Sequence, residues 1–160
     1  MALTANDFFR PIQMLGGLPF PTITGKAESA TTWVKGAVLI DSGTGYLTEG
    51  ADGPTTGTIV GVALNDKAAG ETEAVVIPAL PSVVFSGRIA TGDAGGDYTS
   101  LVTNRYSKFG ISLDASGSWY INVADTTDYA VVVLDFIDDI GTNLALVKFA
   151  FIDTIFGALT

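Results

Sequence analysis

Residues 33–64 constrain the fold most: two apolar β-type runs, 34–40 and 58–64, are held apart by the glycine-dense connections Asp41-Ser-Gly-Thr-Gly and Glu49-Gly-Ala-Asp-Gly-Pro. Glycine supplies the positive φ that tight turns need, and Asp52-Gly53 is a hairpin-turn dipeptide. A return strand begins at Tyr46-Leu47. The run 58–64 reads as a near-continuous apolar strand, with Gly57 and Gly61 marking a bulge or a close backbone approach.

The rest of the chain repeats this style. Strands are expected over residues 73–77, 82–89, 109–113, 119–123, 129–136 and 144–152, with a weaker stretch at 98–102. Pro78 and Pro81 fall between strands, and Ile111, Leu113, Trp119, Ile121 and Val123 alternate as a hairpin requires. No segment carries a helical period. Nineteen glycines, with turn clusters every ~8–12 residues, predict an all-β fold, a small antiparallel β-barrel or sandwich. No internal repeat shows at a solenoid or propeller period.

Residues 1–32 differ from this body, which spans 33–160. Pro11, Pro19 and Pro21 forbid a long helix and favour extended backbone, while Phe8, Phe9, Ile12, Met14, Leu18, Phe20 and Ile23 make the segment strongly apolar. An extended N-terminal arm is expected, lying either on the chain's own barrel or on a neighbouring chain. The other end is apolar too, and Ile155, Phe156 and Leu159 should dock on the body or on a partner.

Only 16% of the 160 residues are charged, against a usual share of about 25%, so part of the surface is expected to be covered by other chains. The net charge of −9 has the wrong sign for binding nucleic acid or an anionic membrane. Without cysteine or histidine there are no disulfides or thiolate metal sites, and the usual near-neutral base is missing. No signal-peptide pattern opens the chain and no uncharged run approaches the ~20 residues of a membrane helix, so a soluble compartment is expected.

Candidate chemistry is sparse. Asp125, Asp128, Asp135, Asp138 and Asp139 form an acidic cluster that reads as turn residues rather than as a catalytic pair or cation site. Asp93-Ala-Gly-Gly-Asp97 lacks the ligand spacing of a calcium loop, and Gly43-Thr-Gly45 lacks the context of a phosphate loop. Lys35, Lys67, Lys108 and Lys148 are scattered singly. Trp33, Tyr46, Trp119 and Tyr120 are candidates for stacking on sugars, although period-2 placement suggests that one of each strand pair fills the core. The expectation is a protein that is not an enzyme and has no cofactor.

Lys35-Gly-Ala-Val-Leu-Ile, Gly45-Tyr-Leu and Ile59-Val-Gly-Val-Ala-Leu, followed by Ser118-Trp-Tyr-Ile-Asn-Val, residues 129–136, Ile140-Gly-Thr and Val147-Lys-Phe, resemble the decoration, or cement, proteins of tailed-phage capsids over roughly residues 33–152. The resemblance implies a virion protein made in the host cytoplasm that sits on the outer capsid surface at junctions between major capsid proteins. It also implies a homo-oligomer, a trimer foremost, that resists the pressure of packaged DNA. An arm reaching along the shell would place Phe8, Phe9, Ile12, Met14, Leu18 and Phe20 against the capsid, with Ile155 and Phe156 as a second contact. The alternative is a carbohydrate- or receptor-binding module of a tail or fibre, using Trp119, Tyr120 and Tyr98.

Overall fold

The computed structural model describes residues 8–92 and 95–158, and apart from two single 3-10 turns, Thr56–Thr58 and Val102–Asn104, every regular element in it is a strand. A first ring is built from β2 (Ile23–Lys26), β3 (Val38–Asp41), β4 (Leu47–Glu49), β5 (Ile59–Ala63) and β6 (Glu73–Pro78) in the order β2-β6-β5-β3-β4. Its neighbours are antiparallel, and a parallel bridge between Ala27 and Leu47 closes it, with the Glu28 N–H donating to the Leu47 carbonyl at 3.1 Å. A second ring uses β7 (Val83–Ala90), β8 (Lys108–Leu113), β9 (Trp119–Asn122), β10 (Val131–Phe136) and β11 (Leu146–Phe151) in the order β7-β11-β10-β8-β9. Here β7 and β9 run parallel, Ile89 opposite Ile121 and Ala90 opposite Asn122. Closure leaves each ring without a long free edge.

The two rings have one topology. Substituting β7 through β11 for β2 through β6 turns the first strand order into the second, including its single parallel seam. The correspondence extends to residues: Asp41 faces Leu47 and Leu113 faces Trp119, each 72 positions on. Ala63 faces Val76 and Asp135 faces Lys148, again 72 on. Both hairpins fold by the same device. The Asp41 carboxylate accepts from the N–H groups of Gly43 and Gly45 at 3.0 and 3.3 Å, and the Asp114 carboxylate from those of Ser116 and Ser118, both at 2.9 Å. The rings differ in the slide of one ladder, Val38 facing Val62 where Phe109 faces Val131, and in a longer connection at 91–107 than at 27–37. The repeat unit is longer than a solenoid or propeller module and occurs twice.

The N-terminal segment is stitched into both rings. Its β1 (Arg10–Met14) lies antiparallel on the first half of β7, with Pro11 tolerated because the strand is at the row's edge, and β2 belongs to the first ring. Of the arm expected over 1–32, residues 10–14 and 23–26 pair with the chain's own sheets, while residues 1–7 lie outside the described part. The topological division falls at the β6–β7 link, residues 79–82.

Phe9 joins the rings. Fully buried, it holds its ring 4.7 Å from that of Phe149 and 6.4 Å from those of Trp119 and Phe151, while its N–H reaches the Gly36 carbonyl of the first ring at 3.3 Å. Gly87 lies beneath it, where a Cβ would come within 2.6 Å of the phenyl ring. The expected assignment of Phe9 to a partner surface is thus corrected: it is a core residue, because the extended backbone before Pro11 points it inward between two rings that would otherwise leave a gap. The strand expected at 34–40 begins only at Val38, since Gly36 at φ +95° turns the chain ahead of it. Residues 98–102 form no strand.

Candidate functional site

Exposed apolar side chains fall in several groups; besides those at 101–106 and 129–140, two lie toward the ends of the described residues. From β1 to the start of β2 they are Ile12, Leu15, Leu18, Phe20 and Ile23, with Leu18 65% exposed. Gly16 and Gly17, both at positive φ, turn the chain after β1, and the Leu15 N–H bonds the Ser82 carbonyl at 2.8 Å. At the other end β12 (Asp153–Thr154) and β13 (Gly157–Ala158) form a two-residue-per-strand hairpin. It is anchored through its polar groups: the Thr154 hydroxyl donates to the Ala79 carbonyl, the Ile155 N–H to that of Ile59, and the Thr56 hydroxyl to the Asp153 carboxylate at 2.7 Å. Ile155 and Phe156 at its tip remain about half exposed. Both apolar ends thus flank the link 79–82 between the rings, Leu15 at Ser82 and Thr154 at Ala79.

Of the residues expected to meet a partner, Ile12, Leu18, Phe20, Ile155 and Phe156 are exposed. Phe8 is half-buried, Met14 packs against the core and Phe9 is within it. Leu15 joins this set; its signal was its place before Gly16-Gly17, where a turn leaves a side chain outside. Leu159 lies outside the described residues. The outer edge of β1 pairs with nothing among the described residues, and a bulge between Pro11 and Gln13 interrupts it.

The joint between the rings is the other organised region. A cleft of about 410 Å³ is lined by Thr32, Trp33, Val34, Glu49 and Lys67 of the first ring and by Leu113 and Gly117 of the second. Trp119 Nε1–H donates to Glu49 at 2.9 Å, and the Asp52 carboxylate accepts from the Leu113 N–H at 2.9 Å. Lys67 is buried, donates to the carbonyls of Thr31 and Ala68, and lies 5.2 Å over the Trp33 ring. Burial pushes the Glu49 carboxyl above its ordinary value, an effect that the Trp119 bond offsets in part. A carboxyl raised on folding contributes stability below the unfolded value, near pH 4.3, and that contribution is lost as the pH rises through the folded value. Glu49→Gln keeps an oxygen for Trp119 but cannot ionise. Its urea midpoint should equal the parent's near pH 4 and exceed it at pH 7; a variant weaker than the parent at pH 7 would show that the ionised form is the one the joint needs.

Stacking faces are scarce. Trp119 and Tyr120 are both fully buried, contrary to the expectation that one of the two faces out, because Trp119 fills the joint while the Tyr120 hydroxyl is taken up by the Gly92 carbonyl and the Gly95 N–H. Tyr98 is half-buried and its hydroxyl accepts from Asn104. Of the four aromatics singled out for stacking, Tyr46 alone is well exposed.

The acidic cluster is dispersed into local bonds. Asp125 accepts from the N–H groups of Thr127 and Asp128, and Asp138 from that of Leu146. Asp135 is held below the usual carboxylate range by the Phe136 N–H first and by Arg105 beside it. Among the described residues no group of three or more carboxylates is placed to hold a metal ion; Asp93 lies outside them. The sequence matches no protein-family model and no curated protein.

Proposed function

We propose that the chain is a structural virion protein that binds the outer surface of a tailed-phage capsid at junctions between major capsid proteins and stabilises the shell. The observation that carries this reading is the run of exposed apolar side chains from Ile12 to Ile23 on and after an edge strand, seconded by Ile155 and Phe156. A monomer gains nothing from displaying these groups to water. An edge strand can extend a partner's sheet through its backbone while alternate side chains enter pockets, and many copies on one lattice convert modest contacts into avidity. The −9 charge suits an outer face that does not hold the genome.

Deleting residues 1–24 is a poor test, since it removes Phe9 and β1 and with them part of the core. The test is the pair Leu18→Asp and Phe20→Asp, both on the surface. Co-sedimentation with empty shells should weaken about tenfold or more per substitution, from the loss of roughly 1.5–3 kcal/mol of side-chain burial each. The melting temperature should stay put. Full decoration by the double variant would remove this segment from the contact.

A further inference from the structure

Trp33 and Lys67 face each other across an antiparallel bridge, the Trp33 N–H donating to the Lys67 carbonyl at 3.3 Å and the Lys67 N–H to that of Trp33 at 2.9 Å. Both side chains line the cleft of about 410 Å³ between the rings, a volume within the range of small-molecule sites, and both are almost wholly out of water, Trp33 4% and Lys67 3% exposed. Their polar groups are left incompletely matched. The Lys67 ammonium has two backbone carbonyls and the Trp33 face, and no ion pair among the described residues includes it. The carboxylates near it in sequence are turned to other donors, Asp66 to the Lys35 N–H and Glu71 to the Ala68 N–H, both at 2.7 Å. The Trp33 indole N–H is buried with no acceptor among the described residues. A buried cation without a counter-charge and a buried donor without an acceptor are each unfavourable for folding alone. Here they belong to facing residues in the wall of one cleft.

We infer that this cleft binds a small monocarboxylate: its head group is held by the Lys67 ammonium and the Trp33 indole N–H, and its hydrocarbon body lies against Val34 and Leu113. A single cation matches a single negative charge. A phosphate or sulfate dianion is disfavoured because the Glu49 carboxylate lines the same cleft. The apolar walls favour a carbon chain over a bare ion. Because the lining comes from both rings, an occupant also fastens one ring to the other and raises the melting temperature. The inference does not rest on the capsid reading, whose contacts lie toward the two ends of the chain.

Butanoate, butylammonium and butan-1-ol present one hydrocarbon body with three head groups. Butanoate should bind at pH 7 with a dissociation constant of about 1–10 mM, as so few heavy atoms support, and the other two at least about tenfold more weakly. The chain has two tryptophans, so a nitrogen–proton correlation spectrum carries two indole signals, and Trp33→Phe assigns them by removing one. The Trp33 signal should move as butanoate is added. Lys67→Met drops the charge at nearly constant volume and should abolish binding. Trp33→Phe keeps a ring beneath Lys67 and should weaken binding about tenfold, the weight of one hydrogen bond to a charged group, whereas Glu49→Gln should tighten it about two- to fivefold by removing a like charge. A Trp33 signal unmoved up to about 100 mM butanoate, tenfold beyond the weak end of that range, overturns the inference. An equal response to butylammonium or butan-1-ol overturns it too, as does a folded Lys67→Met chain that binds like the parent. If Lys67→Met does not fold, Trp33→Phe and the three head groups decide.

Discussion

Phe9→Ala lowers the unfolding free energy by about 3–5 kcal/mol, the range for truncating a buried phenylalanine. The side chain is fully buried and touches three aromatic residues of the second ring while its backbone is tied to Gly36 of the first. Removing it leaves a cavity where the rings meet, and Gly87 beneath it has no side chain to fill the space. In a chain of this length the loss corresponds to a fall of roughly 6–20 °C in the melting temperature. Denaturant titration of Phe9→Ala beside Leu18→Asp separates the two roles within one segment: the first substitution should cost stability and the second should not. Equal stability of Phe9→Ala and the parent would mean that the N-terminal segment does not occupy the joint in solution.

Gly61→Ala is the second large effect. A Cβ at this position of β5 would lie 2.2 Å from the Ile77 carbonyl oxygen and 2.7 Å from a methyl group of Val76, and the carbonyl cannot move without breaking the β5–β6 ladder. The position 72 residues on in the second ring is Val133, and there the β10–β11 ladder slips between Val133 and Asp135. One ring thus fits close strands with a glycine, and the other accommodates a side chain by a bulge. The irregularity beside Gly61 lies in the β3–β5 ladder and the β5–β6 ladder is regular, so a cost of about 3 kcal/mol, the upper part of the range for overpacking, is expected in urea titration. A cost below about 1 kcal/mol would show that β5 can slip as β10 does.

Most of the strands were legible because their apolar residues come in runs bounded by glycine, and residues 109–113, 119–123 and 144–152 lie within two residues of the strands observed. What was hidden had physical causes. Pro11 argues against a strand unless the strand is known to sit at an edge, which residue order does not tell. Phe9 belongs to no periodic run, so its burial depends on Trp119, Phe149 and Phe151, which are far along the chain. The doubling of the ring is not legible in the residues because the two copies share spacing and turn chemistry, as at Asp41 and Asp114, rather than side-chain identity. The surface set at the ends was legible in part: apolar content near Pro and Gly marked the segments, but not which of Phe9 and Leu18 turns inward.

The path of the N-terminal strand bears on how the polypeptide emerges during synthesis. Phe9 leaves the ribosome long before two of its ring contacts, Phe149 and Phe151 in the last strand of the second ring. Its pocket is therefore completed only once Phe149 and Phe151 have emerged, and until then the first ring must wait with an oily side chain uncovered. A nascent chain stalled before residue 149 should accordingly be captured by holdase chaperones far more readily than the released protein.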